Sequence, residues 1–388
     1  MSPNENRRLK RIKKRYGQER RFKTMAFSAI ILASAFLVFF LADIIKTGYT
    51  ALQQAEIQVD VTYNEKTKQF THLSVPREYS RLVSRGFTRL VGMEIQANPE
   101  LMNTVQTRWV TANAEVDQYM KGKANRLKGK QVRTVEKLKE EGKIRMAFNT
   151  GFFTKGDSKL PEIAGIFSAA IGSVYVLFLT MLFSVPIGVM TAVYLEEFAP
   201  DNIVTRIIEV NINNLAAIPS IIFGLLGLAI FINIFGVPRS SALAGGLTLA
   251  LMTLPVIIIS TRAALRAVPD TIRQGAQGVG ASPWQVVWHH VLPLSMPGIL
   301  TGSIIGLAQA MGETAPLLIV GMLAYIPSAP SGVTEAATVL PAQIYTWSSA
   351  SLRAYTERTA LGIMVLLSVL LLLNAAAVWI RNRYERKW

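Results

Sequence analysis

Long apolar runs separated by charged stretches constrain this chain more than any other feature. Of its 388 residues 51% are hydrophobic and 17% charged, values that a soluble protein can also reach. The charges, however, crowd into 4–23, 46–162 and 381–387. Between them lie apolar runs of about 20 residues, the length that a bilayer core of about 30 Å requires. The chain therefore reads as an all-α polytopic membrane protein with six transmembrane helices, at 25–45, 165–195, 203–235, 243–260, 298–325 and 359–380. Pro186 is expected to kink the second of these. The first part of 203–235 carries Arg206, Glu209 and three asparagines, and is expected at the interface or in the cytoplasm.

Ten Lys/Arg precede Met25 and four follow Ile380. Flanking cations of this kind mark cytoplasmic ends, and an even number of spans leaves both termini on that side. Residues 1–24 then form a basic cytoplasmic tail without fixed structure. Residues 25–45 form an uncleaved anchor, because the run exceeds the roughly 7–15 residues of a signal-peptide core and no small-x-small cleavage site follows. The same count places 46–162 outside and 267–297 in the cytoplasm, within a transmembrane unit spanning 163–388.

Several functions are excluded. The net charge of +16 lies mostly at membrane ends and in one domain, so it does not call for nucleic acid. With no cysteine there are no disulfides, thiolate nucleophiles or Cys-metal sites. Gly122-Lys123, Gly129-Lys130 and Gly142-Lys143 are followed by Ala124, Gln131 and Ile144, so no phosphate-cradling GxxxxGK[ST] loop is present. His72 stands alone, and His289 and His290 adjoin each other, which does not suit chelation from one helix face. No metal site and no catalytic residue is expected.

The segment 46–162 reads as a small α+β extracytoplasmic domain inserted between the first two spans. Ile57, Val59, Val61 and Tyr63 alternate with polar residues, as a half-buried strand does. Helices are expected over 78–91, 99–120 and 131–141, the last stopped by Gly142. Arg81, Arg85 and Arg89 recur every four residues, either as a solvated face or as a surface for anionic lipid, a binding protein or an anionic solute.

The polar stretch 267–297 is long for a connection between spans and has the marks of two helices. Pro269 and Asp270 open one that runs to Gln277, Gly278 and Gly280 break it, and Ser282-Pro283 open another carrying Trp284, Val287 and Trp288. Two short helices at a glycine bend suit the docking of a cytoplasmic partner. Alternatively they lie on the membrane, with Trp284 and Trp288 as interface anchors.

Gln274-Gly275-Ala276, then Gly280, then Leu292-Pro293 resemble, in spacing, the cytoplasmic signature of ABC-importer permeases. Three residues depart from that signature: Gln274 stands for Glu, Gly275 for Ala and His290 for Ile. The stretch LAQAMGETAPLL at 307–318 is similar to the fifth span of phosphate-specific permeases, in the form of their A-type subunit. NLAAIPSIIFGLLGLAIF at 214–231, LPAQIYTW at 340–347, AIGS at 170–173 and PIGV at 186–189 resemble the same subunit. The likeness covers about 148–388; the N-terminal region resembles an extension found in some members only.

This resemblance implies the type I ABC importer permease fold. It also implies a partner C-type permease, two cytoplasmic ATPase subunits holding ATP and Mg, a periplasmic phosphate-binding protein, and an inner-membrane location among lipid. Thr271, Gln274, Gly275, Ala276 and Gly280, followed by Leu292 and Pro293, would then seat the coupling helix on the ATPase. Glu313 with Gln309 and Thr314 would lie on or beside the translocation path. The family commonly has Arg where Gln309 stands. Glu313 is therefore expected to be protonated or paired from the partner permease, serving gating rather than phosphate ligation. A carboxylate within a span costs about 2.5–3.5 kcal/mol on insertion scales and is functional by default. Two alternatives stay open: a permease of this fold for another oxyanion (phosphonate, sulfate, molybdate), and a membrane-anchored sensor or scaffold.

Overall fold

The computed structural model describes residues 3–323 and 325–384; residues 1, 2, 324 and 385–388, among them the first two of the N-terminal basic tail and the last four of the C-terminal one, lie outside. The chain opens on a single helix, α1 (Pro3–Tyr49), in place of the unstructured tail and separate span. The physical reason is local. Leu, Arg, Lys and Glu are good helix formers, no proline follows Pro3 before Pro76, and Glu19 pairs with Lys23 one turn later at 2.7 Å. Such a helix is about 70 Å long, more than a bilayer needs. Phe27, Ile31, Phe36 and Phe39 are exposed around its middle, the pattern of a helix facing lipid. It meets the bundle near its end, where Gly48 lies so close to Met364 that a Cβ would sit 2.6 Å from the sulfur.

Next come β1 (Gln53–Tyr63), α2 (Glu65–Gln69), α3 (Arg85–Ala97), β2 (Thr104–Thr111), α4 (Ala114–Met120), α5 (Gly129–Glu140), β3 (Ile144–Phe148) and α6 (Thr150–Thr154). The strands form an antiparallel sheet in the order β2-β1-β3. Ile57 pairs with Val110 on one side and Ile144 on the other. The inward row Ile57, Val59, Val61 and Tyr63 is buried against Val91 and Ile95 of α3, Val116 of α4, and Val135 and Leu138 of α5. Two expectations fail here. Residues 99–120 are not one helix: Thr104–Thr111 is a strand, because its β-branched and aromatic residues suit a pleated surface. The helix over 78–91 begins only at Arg85, where the Ser84 hydroxyl accepts the Gly86 N–H at 3.1 Å. Arg81 thus precedes the helix that carries Arg85 and Arg89, and all three are exposed.

The remaining helices are α7 (Phe167–Val193), α8 (Ile203–Ala216), α9 (Ser220–Gly227), α10 (Ala242–Arg266), α11 (Asp270–Gly278), α12 (Pro283–Val286), α13 (Leu292–Gly312), α14 (Ala315–Ile319), α15 (Leu340–Ser348) and α16 (Ala354–Tyr384). Three π-helical turns extend or join them, at Tyr194–Phe198, Leu228–Ile234 and Val287–Val291. Among the described residues five helices are long and apolar enough to cross a membrane, and a sixth is the α8–α9 pair, bent by 105°. That bend falls at Pro219, which cannot continue α8. Small residues bring the central helices together: a Cβ on Gly188 of α7 would lie 2.7 Å from Ile257 of α10, and one on Gly298 of α13 would lie 2.6 Å from Ala264. Close backbone approach of this kind is how helices associate in lipid.

Polar side chains fix the segment between α1 and α7 to the start of α16. Lys121, just past the end of α4, bridges Asp117 at 2.6 Å and Glu357 at 2.9 Å, and Lys123 reaches Glu357 at 2.7 Å. Arg358 donates to the carbonyls of Ala164 at 2.7 Å and Glu162 at 3.1 Å. Burial pushes the carboxyls of Asp117 and Glu162 above the ordinary range. Every one of these charges has a partner within reach, as burial demands.

Candidate coupling surface and helix breaks

The stretch 267–297 divides differently from its expected form. Pro269 precedes α11, and Asp270 is its first residue rather than its cap. The bend follows, with Gly280 at φ +90°, a conformation that side chains with a Cβ rarely adopt. Ser282 then caps α12 reciprocally with Gln285. However, α12 is not a second short helix. It continues through the π-helical turn Val287–Val291 into α13, one 30-residue helix from Pro283 to Gly312. The widened turn sits immediately before Pro293, which has no N–H to donate to the ladder.

One face of α11 is turned inward. Ala276 is buried and Ile272 half-buried against Leu265, Val268, Val286 and Val291. Ala276 therefore serves the chain's own core and does not face outward, a correction to its expected place on the contact surface. Thr271, Gln274, Gly275 and Gly278 are exposed, and Val279 is 87% exposed. A Cβ at Gly275, Gly278 or Gly280 would meet nothing within 4 Å, so nothing inside this chain requires the small residues at 275 and 278. Leu292 is half-buried and Pro293 exposed, both in the helix that follows. Trp284 and Trp288 are stacked with ring centroids 5.4 Å apart, each more than half exposed.

Charged side chains not singled out in the sequence hold α11 in place. Arg273 uses every N–H of its guanidinium. Nε and Nη2 reach Glu197 at 3.2 and 2.8 Å, Nη2 also reaches the Leu265 carbonyl at 3.0 Å, and Nη1 reaches the Val268 carbonyl at 2.7 Å and Asp270 at 3.2 Å. The Glu197 hydrogen bond raises the guanidinium above its ordinary pKa. Beside it, Glu196 pairs with Arg262 at 3.1 Å and Arg266 at 2.7 Å, while Arg262 also bonds Glu209 of α8. The signal in sequence was an acidic pair ending one apolar run and spaced arginines ending another.

Glu313 is not near the midpoint of a continuous helix. It ends α13 in an extended conformation (φ −76°, ψ 128°), and α14 starts afresh at Ala315. Its side chain is half-buried, as is that of Thr314, whereas Gln309 is exposed. Among the described residues none pairs with the Glu313 carboxylate. Beyond this break α14 packs on α9, for a Cβ on Gly224 of α9 would sit 2.7 Å from the Pro316 Cα of α14. Irregular backbone at membrane depth is tolerated where it is buried in protein or lines a water-filled path. A helix break with a half-buried carboxylate, closed over by α9 and α14, fits that requirement.

Residues 184–388 match the family model described as "Binding-protein-dependent transport system inner membrane component". Residues 9–72 and 65–128 match a domain of unknown function, DUF3333. The chain is 31% identical over 248 residues to "Probable ABC transporter permease protein YqgI" of Bacillus subtilis, covering 61% of this chain and 84% of the relative. It is 32% identical over 225 residues to "Phosphate transport system permease protein PstA 1" of Mycobacterium tuberculosis, covering 57% and 73%. Against "Phosphate transport system permease protein PstA" of Haemophilus influenzae the identity is 29% over 228 residues, covering 59% and 79%.

Proposed function

This chain belongs to the family of binding-protein-dependent transport system inner membrane components, and on that premise we propose that it forms half of the translocation path of an ATP-driven inorganic phosphate importer. It is a PstA-type permease, a membrane transport subunit and not an enzyme. In the proposed assembly, of the type I importer fold, it pairs with a C-type permease. Two cytoplasmic ATPase subunits hold the ATP and Mg, and a periplasmic binding protein delivers phosphate. Both termini then face the cytoplasm of a bacterial cell, and 46–162 lies in the periplasm as an α+β domain. Nucleotide binding closes the ATPases and drives α11, and the helices alternate between inward- and outward-open arrangements. Glu313 stands at a helix break beside the path. A lone carboxylate repels a phosphate dianion, so it serves gating or pairs with a cation of the partner permease.

The observation that carries this reading is the outer face of α11: exposed, glycine-bearing, without internal reason for its small residues, and fastened from behind. The chain has no cysteine, so one introduced thiol is the only thiol. A cross-linker on Gln274→Cys should capture the ATPase subunit, whereas one on Trp284→Cys should not. If a fluorophore at Gln274→Cys is instead quenched by brominated lipid and no ATPase is captured, α11 lies on the membrane and the coupling assignment is wrong.

A further inference from the structure

We infer that Arg273 is the positioning residue that makes α11 a rigid outgrowth of α10 and α7, so that displacement of α11 is delivered to those two helices and only loosely to α13. The inference rests on the importer reading for the source of the displacement, while the rivet itself is a property of this chain. Four observations support it. The guanidinium has five N–H groups and all five are engaged, four of them by groups outside α11 and one by Asp270 within it. Two of the acceptors, the carbonyls of Leu265 and Val268, belong to the end of α10 and the turn after it, where unpaired carbonyls accumulate and a cation is favoured. The third partner, Glu197, lies in the π-helical turn that ends α7, is 8% exposed, and receives the guanidinium side-on through both oxygens. Its neighbour Glu196 pins the same turn to Arg262 and Arg266 of α10, and Arg262 extends the net to Glu209 on α8.

The connection on the other side of α11 has a different character. Between Gly278 and Ala281 the chain passes through Gly280 at φ +90° with open space around it. The bend is closed by two backbone hydrogen bonds, Gly280 N–H to the Gln277 carbonyl at 2.9 Å and Ala281 N–H to the Ala276 carbonyl at 3.1 Å, and the side chains that pack α11 on the helix beyond it, Ala276 with Val286, Val291 and Leu294, are apolar. Apolar contact is non-directional and allows sliding, whereas the four guanidinium hydrogen bonds to Leu265, Val268 and Glu197 fix distance and orientation together. A force on α11 therefore has a stiff route to α10 and α7 and a compliant one to α13. Lysine cannot take this place, because its ammonium has three donors on a flexible stem and no fork.

Spin labels test the route directly, since the chain carries no cysteine of its own. One pair joins α11 to α10 (Gln277→Cys with Ala263→Cys) and a second joins α11 to α13 (Gln277→Cys with Met296→Cys). They are measured in the free subunit and in the assembled complex with and without ATP. The α11–α10 distance should hold between the nucleotide states while the α11–α13 distance changes. Arg273→Lys, and independently Glu197→Gln, should broaden the α11–α10 distribution already in the free subunit. In the complex they should lower phosphate taken up per ATP at least tenfold with ATPase binding retained. An α11–α10 distance that changes as much as the α11–α13 distance overturns the inference. So does a wild-type uptake ratio in both variants with narrow distances. Failure of the wild-type complex to import phosphate at all sinks the importer reading instead, and the free-subunit distances then decide the rivet by themselves.

Discussion

Replacing Gly275 with leucine separates what α11 does for its own chain from what it does for a partner. A Cβ there meets nothing within 4 Å, the residue is exposed, and its backbone is helical without positive φ. Within the subunit the change should therefore be harmless, and the better helix propensity of leucine should add roughly 0.5–1 kcal/mol. The thermal midpoint of the purified permease should hold or rise slightly. Against an ATPase groove packed at interior density, the same side chain has no room. Overpacking of this kind costs about 1–3 kcal/mol, which is about 5- to 150-fold in affinity. Titrating labelled ATPase onto the permease pair in nanodiscs reads this directly. Gly17→Leu is the matched control: it too is on a helix with nothing within 4 Å, but away from α11. Wild-type affinity and wild-type uptake in the Gly275→Leu protein would refute the reasoning, because the outer face of α11 would then be free in the working complex.

Three further outcomes are expected. Gly280→Ala meets no atom but must hold φ +90°, a strain of about 1–2 kcal/mol; uptake per ATP should fall with membrane insertion unchanged, whereas Gly278→Ala, equally open and without the positive φ, should not change the ratio. Glu313→Gln should reduce phosphate uptake at least tenfold with subunit assembly intact, and equal uptake by the variant would leave the carboxylate only a polar contact. Glu162, whose carboxyl burial raises, contributes stability that is fully present below the ordinary pKa of about 4.3 and is lost as pH rises through the raised value. Glu162→Gln should accordingly gain in thermal midpoint relative to wild type from pH 5 to pH 8, and a pH-independent difference would contradict the linkage.

The membrane spans were legible because apolar length has one meaning in a bilayer, and the break at Pro219 was partly so. Proline marked it, and Arg206, Glu209 and the asparagines marked the change of environment before it. The helix opened by Ser282-Pro283 was legible, with Trp284 and Trp288 on it, but its length was not: it runs on through His289 and His290 into α13 as one helix from Pro283 to Gly312. Gly275 and Gly280 were legible as a pattern, but their reasons differ. Gly280 answers to backbone geometry, and Gly275 to nothing within the chain. Ala276 looked equivalent to its neighbour and is not, since helical phase turns it inward. Arg273 was illegible in isolation because Glu197 stands 76 residues away, and only the meeting of α7 and α10 makes the two a pair. The strand Thr104–Thr111 was lost to a helical reading that its threonines, valines and tryptophan contradict.

The central claim meets its most direct test in vesicles reconstituted with this permease, a C-type partner and the ATPase, supplied with the binding protein outside and ATP inside. Labelled phosphate should accumulate only when ATP and binding protein are both present, and unlabelled phosphate should compete where sulfate, molybdate and phosphonate do not. An assembled complex that accumulates a different oxyanion in preference, or none while hydrolysing ATP in response to no solute, would contradict the account.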